Sequence, residues 1–368
     1  MRTPAAIYPF TCELLPLVKY FDKLQSSFTI TRVISMPGLG LAGKDAGYSC
    51  NHPDTGYIVT DKPDMEDPTW KTLIVARPLN PDVITEQKLA ETIANALSAG
   101  KMARYFDTGI KNVPNAIWDL AQAWPEKLEI ITEDMNPEEK SRIDDRYCVL
   151  NSPIILIGGL ITKADTLEVL SGMAVSLSEQ GLHPLVITRQ PCGKLFGFHS
   201  LSHVFQSKDK SEAEKIVQIN YTLRDLEHKY LPDVILMEAP DTVMRYNDIA
   251  PNGFGIQTYM LCQAAAPDYF ICCIPCDLAV GVFVKMLSED FSYRLGASIN
   301  AAHVTNIIVD AAEIQQTHEV SYVHTNLDLV RENIEKERLQ SEIPLFDVIT
   351  QGAQKLTTHL FGPTIQPD

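Results

Sequence analysis

The sequence predicts two α/β domains, each built on a doubly wound, mostly parallel sheet with helices on its faces. Three observations lead there. Short apolar, β-branched runs alternate with amphipathic helical stretches along both halves. A length of 368 residues exceeds what one small core supports and suggests two. A charged stretch between Met135 and Ser152 interrupts the pattern, and an apolar run restarts it at Pro153. The boundary falls near residue 148, giving domains 1–148 and 149–368.

In the first half, Ala5–Tyr8 reads as a short strand. Thr11 then caps a helix whose Leu14, Leu17, Phe21 and Leu24 share one face. Phe28–Ile34, rich in β-branched residues, is the second strand, and a glycine-rich loop runs from Gly38 to Gly47. Tyr57–Thr60 and Thr72–Ala76 are further strands. A helix follows with Leu89, Ile93, Ala96 and Leu97 inward, stopped by Gly100.

The second half opens on the strand Pro153–Gly159. A helix over Thr166–Gln180 ends at Gly181, and Pro184–Thr188 is the next strand. Ser211 and Glu214 form a capping box for a long helix through Tyr230. Strands Val234–Met237, Tyr269–Ile274, His303–Val309 and Val320–Val323 follow, then helices over Leu327–Leu339 and Phe346–Leu360. Strands spaced by helices again argue for a doubly wound sheet.

Composition narrows the function classes. With 45% hydrophobic residues each half can bury its own core. A net charge of −16, from 47 acidic against 31 basic residues, repels phosphate backbones and anionic lipid. No nucleic-acid or membrane partner is therefore expected, and no dense Lys/Arg run argues otherwise. The opening apolar stretch Ala5–Phe10 is too short for a secretion signal, and no run approaches the roughly 20 apolar residues that span a bilayer. The eight cysteines are scattered, several inside strand-like runs, which reads as reduced thiols in a cytoplasmic protein.

Several motifs invite chemistry. The loop Gly38-Leu39-Gly40-Leu41-Ala42-Gly43-Lys44-Asp45 matches both G-x-G-x-x-G and G-x-x-x-x-G-K. Gly40 and Gly43 would offer backbone N–H groups to an anion, and Lys44 a charge. Asp45 stands where a metal-binding hydroxyl belongs, and the following Tyr48–Asp54 does not open a helix, so the weight lies with a structural turn over a ligand loop. The run from β-strand through Gly158-Gly159 and six loop residues to a helix has the order of a P-loop-type fold. With Gly159 as first glycine, Ala164 takes the second, Asp165 the lysine and Thr166 the hydroxyl, while Lys163 lies two places early. Asp165 and Glu168 also suit helix capping. The expectation is a Rossmann-like first domain and a second one that looks like a P-loop-type fold that has lost its phosphate-binding chemistry.

Cys192, His199 and His203 offer thiolate and imidazole, but no fourth ligand accompanies them, so no metal is assigned. Cys273–Cys276 is a lone C-x-x-C at a strand end and reads as buried cysteines. Glu238 ends an apolar strand where such folds keep an acid for metal or water; a solvent-facing acid is the equal alternative. Three loops follow carboxyl ends of strands, namely Leu160–Asp165, Arg189–His203 and Ala239–Gly255, and in an open α/β sheet ligands bind at that edge. The candidate binding residues there are Lys163, Phe198, His199, Glu238 and Asn252, with Phe196 and Phe198 as aromatic anchors.

Unusual strings recur through both halves: Tyr8-Pro9-Phe10, Gly40–Gly47, Leu195–Ser200 (Leu-Phe-Gly-Phe-His-Ser), Tyr246-Asn247-Asp248, Asn252–Gly255 and Tyr269–Pro275. In these the chain resembles a bacterial peptide maturation system protein family, found in cassettes that make Cys-rich ribosomal peptides alongside radical SAM maturases. The resemblance implies an accessory role in natural-product biosynthesis of bacteriocin-like peptides. It implies a precursor peptide or radical SAM maturase as partner, and assigns neither catalytic residue nor cofactor. The expectation is a binding protein acting at the second domain's loop edge; the alternative is an enzyme using a nucleotide in a modified P-loop-type site.

Overall fold

A computed structural model of the chain describes residues 2–25, 27–77, 84–107, 113–132 and 147–362. It divides into two compact units, Met1–Asn136 with Arg189–His203, and Pro137–Thr188 with Val204–Asp368. The charged stretch expected as a linker lies, through residue 146, outside the described residues.

The first unit carries β1 (Thr3–Phe10), α1 (Leu15–Lys19), α2 (Phe21–Leu24), β2 (Phe28–Ser35), α3 (Ala46–Ser49), β3 (Val59–Thr60) and β4 (Thr72–Ala76). Next come α4 (Glu86–Ser98), β5 (Met102–Phe106), α5 (Asn115–Ala123) and β6 (Leu128–Ile131). Its strands lie in the order β3-β2-β1-β4-β5-β6, all parallel. The chain starts at the centre, runs out to one edge and returns to the other, so the sheet is doubly wound. All five residues of β4 are buried, as a central parallel strand requires. Thr85 caps α4 by accepting from the Lys88 N–H (3.3 Å), and Leu89, Ile93, Ala96 and Leu97 pack inward with Trp70 and Tyr105.

Three expectations change here. The single helix from Thr11 to Leu24 is broken into a 3-10 turn, α1 and α2, and Thr11 makes no cap hydrogen bond. Pro16 sits at the start of α1, where its missing N–H costs nothing, and Tyr20 leaves helical geometry between the two pieces. Strands β5 and β6 went unpredicted because Arg104 interrupts the apolar run; it pairs with Glu129 (2.9 Å) and lies over the Phe28 ring. Finally, the cysteines are not all thiols. Cys12 and Cys50 form a disulfide across 38 positions, with Cα atoms 5.4 Å apart.

The second unit carries β7 (Ile154–Gly159), α6 (Thr166–Glu179), β8 (Pro184–Ile187), α7 (Glu212–Tyr230), β9 (Val234–Glu238), α8 (Ile256–Ala264) and β10 (Tyr269–Ile274). It continues with α9 (Gly281–Arg294), β11 (Ile299–Val304), β12 (Ile307–Val309), α10 (Ala311–Thr317), β13 (Tyr322–His324), α11 (Leu327–Glu337), β14 (Leu345–Phe346), α12 (Val348–Gln351) and α13 (Gln354–Phe361). The second sheet, β14-β11-β10-β7-β9-β8, is also parallel throughout, while β12 and β13 form an antiparallel pair. The two sheets place the chain in the α/β class, with two mostly parallel, doubly wound sheets.

The predicted capping box is present at the head of α7: Ser211 Oγ accepts from Glu214 N, and the Glu214 carboxylate accepts from Ser211 N (2.7 Å). The strand expected over His303–Val309 is two, because buried Thr305 and Asn306 turn the chain between β11 and β12. The last expected helix is β14, α12 and α13, interrupted at Gly352, whose φ of 71° stops α12. Among the described residues no helix is long and apolar enough to cross a membrane.

The cysteine arrangement sets a countable outcome. Cys148, Cys192, Cys262, Cys272, Cys273 and Cys276 are buried thiols, and burial pushes Cys192 and Cys262 up to about 12. Native protein should therefore react slowly with an aromatic disulfide reagent. Unfolding without reductant should release six thiols, and prior reduction all eight. Eight thiols without reductant would show the Cys12–Cys50 pair to be reduced.

Candidate functional site

The turn from β7 into α6 is built by close approach. A Cβ on Gly159 would lie 2.9 Å from the Ile161 carbonyl oxygen and 2.7 Å from the Ala164 Cβ, so the loop folds back over the strand end only because that atom is missing. The loop is tied on both sides. Leu160 N donates to the Cys273 carbonyl of β10 (3.1 Å), Val243 N to the Gly159 carbonyl (3.1 Å), and Thr162 N to Asn252 Oδ1 (3.0 Å). Leu160–Asp165 and Ala239–Gly255 thus meet at the carboxyl edge of this sheet, as the sequence predicts.

Glu238, the last residue of β9, is 2% exposed. Its Oε1 accepts from Thr166 Oγ1 (2.8 Å) and its Oε2 from Thr188 Oγ1 (2.6 Å). It is therefore not the solvent-facing acid of the alternative reading. Thr166 opens α6, so a helix-head hydroxyl and a strand-end acid stand together, as phosphate-handling chemistry would need. Asp165 occupies the lysine position in a left-handed conformation (φ 55°), and its side chain makes no cap hydrogen bond, contrary to the capping role expected of it. It instead acts electrostatically on Cys273 and His303. Glu168, in the first turn of α6, is completely buried. Burial pulls the His303 ring below its ordinary pKa, against the opposing pull of Asp165, Asp347 and Glu168. Lys163 is exposed on the loop.

The glycine-rich loop of the first unit is organised by its acid. Asp45 Oδ1 accepts from Gly47 N (2.7 Å), Tyr48 N (3.4 Å), Thr55 N (2.9 Å) and Thr55 Oγ1 (3.2 Å), and Oδ2 from Gly56 N (2.7 Å). Asp45 caps the single turn α3, so the segment after it does open a helix, contrary to expectation, though one of four residues. Gly40 and Gly43 take positive φ (71° and 80°), Gly43 N donates to Val59 O (2.8 Å), and Lys44 points into solvent. The Asp45 carboxylate is occupied by donors of its own loop. Partial burial pushes the Asp45 carboxyl up, but the N–H groups of Thr55, Gly47, Tyr48 and Gly56 outweigh it and hold it below its usual value.

Arg189–His203 departs from the expected surface. It is counted with the first unit, where the Gln25 side-chain amide donates to the Leu195 carbonyl and Phe196 meets Phe21 edge-on at 5.3 Å. Phe198 is 4% exposed and His199 is buried. The two are parts of a core, not anchors for a partner. Among the described residues no group of three or more His, Cys, Asp or Glu side chains is arranged to hold a metal ion. Sequence reasoning missed Thr188, Asp347 and His303, whose strand-edge positions carry no local signature. It also missed exposed Phe254 and Ile256, which flank Gly255 in the loop tied to Thr162.

No protein-family model and no curated protein matches the chain. A DUF1611 family protein from Anabaena variabilis is similar over 98% of this chain and 100% of its own, with a TM-score of 0.62 at 14% identity. At that identity the likeness is one of fold. Cobyrinic acid a,c-diamide synthase from Mycobacterium smegmatis, with bound ADP and magnesium, reaches a TM-score of 0.34 at 13% identity, covering 59% of this chain and 100% of its own. Chloroplast FtsY from Physcomitrella patens reaches 0.32 at 12%, covering 77% and 90%. Scores that low carry no argument for either.

Two outcomes follow from these acids. Glu238→Ala strands two buried hydroxyls, each lost acceptor costing about 1–3 kcal/mol, and should lower the melting temperature by several degrees. Lys163→Ala, at an exposed position, should leave it nearly unchanged. Thermal melts of the two variants check this. Asp45 has a depressed folded-state pKa, so its contribution is complete above the unfolded carboxyl value of about 4 and is lost as pH falls through the folded value. The destabilisation caused by Asp45→Ala should be full at neutral pH and shrink on acidification below about pH 4, measured by urea unfolding across pH.

Proposed function

We propose that this chain is a cytoplasmic accessory of ribosomal peptide maturation that binds a precursor peptide, a maturase or a small ligand at the loop edge of the second unit. The observation that carries the binding reading is the acid at the head of α6. Asp165 stands in the lysine position, Glu168 lies buried in the first turn, and Glu238 is already held by two hydroxyls. Polyphosphate is repelled there, whereas neutral amides and cationic groups are not. Phe254 and Ile256, 64% and 60% exposed, supply apolar anchors beside the polar Asn252 and Lys163. The pathway rests on the resemblance of the Leu195–Ser200, Asn252–Gly255 and Tyr269–Pro275 strings.

One observation favours the second reading, a nucleotide-using enzyme: the Thr166 hydroxyl and the Glu238 carboxylate remain paired. The readings divide on two measurements. The double replacement Phe254→Ala with Ile256→Ala should weaken binding to the cassette's peptide or maturase by about tenfold or more, with little change in melting temperature, since both residues are exposed. Calorimetry with magnesium and ATP should show no saturable heat. Partner binding unchanged in the double variant would end the docking reading. Magnesium-dependent ATP binding that Thr166→Val abolishes would replace it with the enzyme.

A further inference from the structure

A cavity elsewhere in the same unit has a chemistry that the loop edge does not use. It is a cleft of about 330 Å³ lined by Cys276, Asp277, Val280, Ile308, Thr325, Leu329, Glu332, Asn333 and Lys336. One wall is a single face of α11, since Leu329, Glu332, Asn333 and Lys336 follow at i, i+3, i+4 and i+7. The opposite wall is the turn after β10, where Cys276 and Asp277 precede α9. Asn333 joins the walls, its Nδ2 donating to the Cys276 carbonyl (2.8 Å).

The charged groups lining it are unusually placed. Glu332 and Lys336 are spaced i, i+4 in the orientation that normally closes an ion pair on a helix surface. Among the described residues neither has an ion-pair partner, so carboxylate and ammonium remain separately open. Asp277 lines the cleft, and its Oδ1 accepts from Val309 N (3.3 Å), which orients the carboxylate. Its carboxyl is pushed above the usual value by burial, against the opposing Val309 and own-backbone N–H groups. Val280, Ile308 and Leu329 supply apolar surface between these charges.

We infer that the cleft binds a small zwitterion with an apolar body, the chemistry of an aliphatic α-amino acid. Asp277 and Glu332 receive its ammonium, Lys336 its carboxylate, and the three aliphatic side chains its hydrocarbon. Two acids against one base also reject a plain carboxylic acid. The volume sits at the small end of ordinary ligand sites and accommodates one residue-sized molecule.

Calorimetry on the full chain with L-leucine tests this, beside 3-methylbutylamine and 4-methylpentanoate, which each keep one charge. Leucine should bind saturably, and each half-ligand should bind about tenfold or more weakly, since each forfeits a charged contact. Lys336→Met should remove the preference for leucine over the amine, and Asp277→Asn should weaken leucine and amine together. Both side chains keep solvent-exposed surface, and among the described residues the Lys336 side chain makes no hydrogen bond, so that variant reads binding alone. No saturable leucine binding at about 10 mM, amine binding as tight as leucine, or leucine binding indifferent to Lys336→Met would each overturn the inference.

Discussion

The loop edge of the second unit depends on one buried carboxylate. A carboxyl group at 2% exposure is tolerable only when its oxygens are hydrogen-bonded, because leaving a buried polar group unsatisfied costs about 1–3 kcal/mol. Glu238 meets that condition with one hydroxyl per oxygen, from the first residue of α6 and from the residue that follows β8. Three chain segments are thereby pinned at one point. Once Thr166 is held there, the six residues between it and Gly159 must fold back over β7, which is why Gly159 has no room for a side chain. The second loop hangs from the first through Val243 and Asn252. The shape of this loop edge is thus set by a buried interaction beneath it.

That arrangement also changes what the head of α6 can attract. A helix N-terminus carries a partial positive charge and exposed N–H groups, which makes it a natural seat for an anion. Here the chain places its own acidic side chains, Glu168 inside the first turn and Asp165 just before it. An incoming phosphate would meet acidic side chains at that helix head.

Much of the frame was legible because its signals are local. Thr72–Ala76 and Tyr269–Ile274 are apolar runs with no competing period, and both are strands at those limits. The Ser211–Glu214 capping box needs only three residues of separation to be read. What failed was set by distance or by context. Cys12 and Cys50 meet across 38 positions, which spacing does not announce. The β5 strand hides behind an arginine that the Phe28 ring and Glu129 accommodate. Asp165 has the right residue type and position for a cap, yet its backbone is left-handed where a capping residue is extended, and its side chain makes no cap hydrogen bond.

The aromatic residues show why residue type alone misplaces a site. Phe196 and Phe198 sit among glycines and read as exposed, but a loop that can fold onto a neighbouring core will do so, since burying a phenylalanine is worth about 1.5–3 kcal/mol. Gly197, at φ 76°, lets the chain turn so that Phe198 is covered and Phe196 meets Phe21. Phe254 has no such freedom. Asn252, Gly253 and Gly255 around it all hold positive φ (53°, 114° and 70°), and Gly255 is pressed so close to the Val243 carbonyl that a Cβ would lie 2.5 Å from its oxygen. Asn252, as a non-glycine residue in that region, is held there at a local cost, and its side chain is the one that accepts from Thr162 N. The same backbone that ties the two loops together keeps Phe254 in solvent. An apolar ring held out by constrained backbone is a better guide to a docking surface than one whose loop was free to bury it.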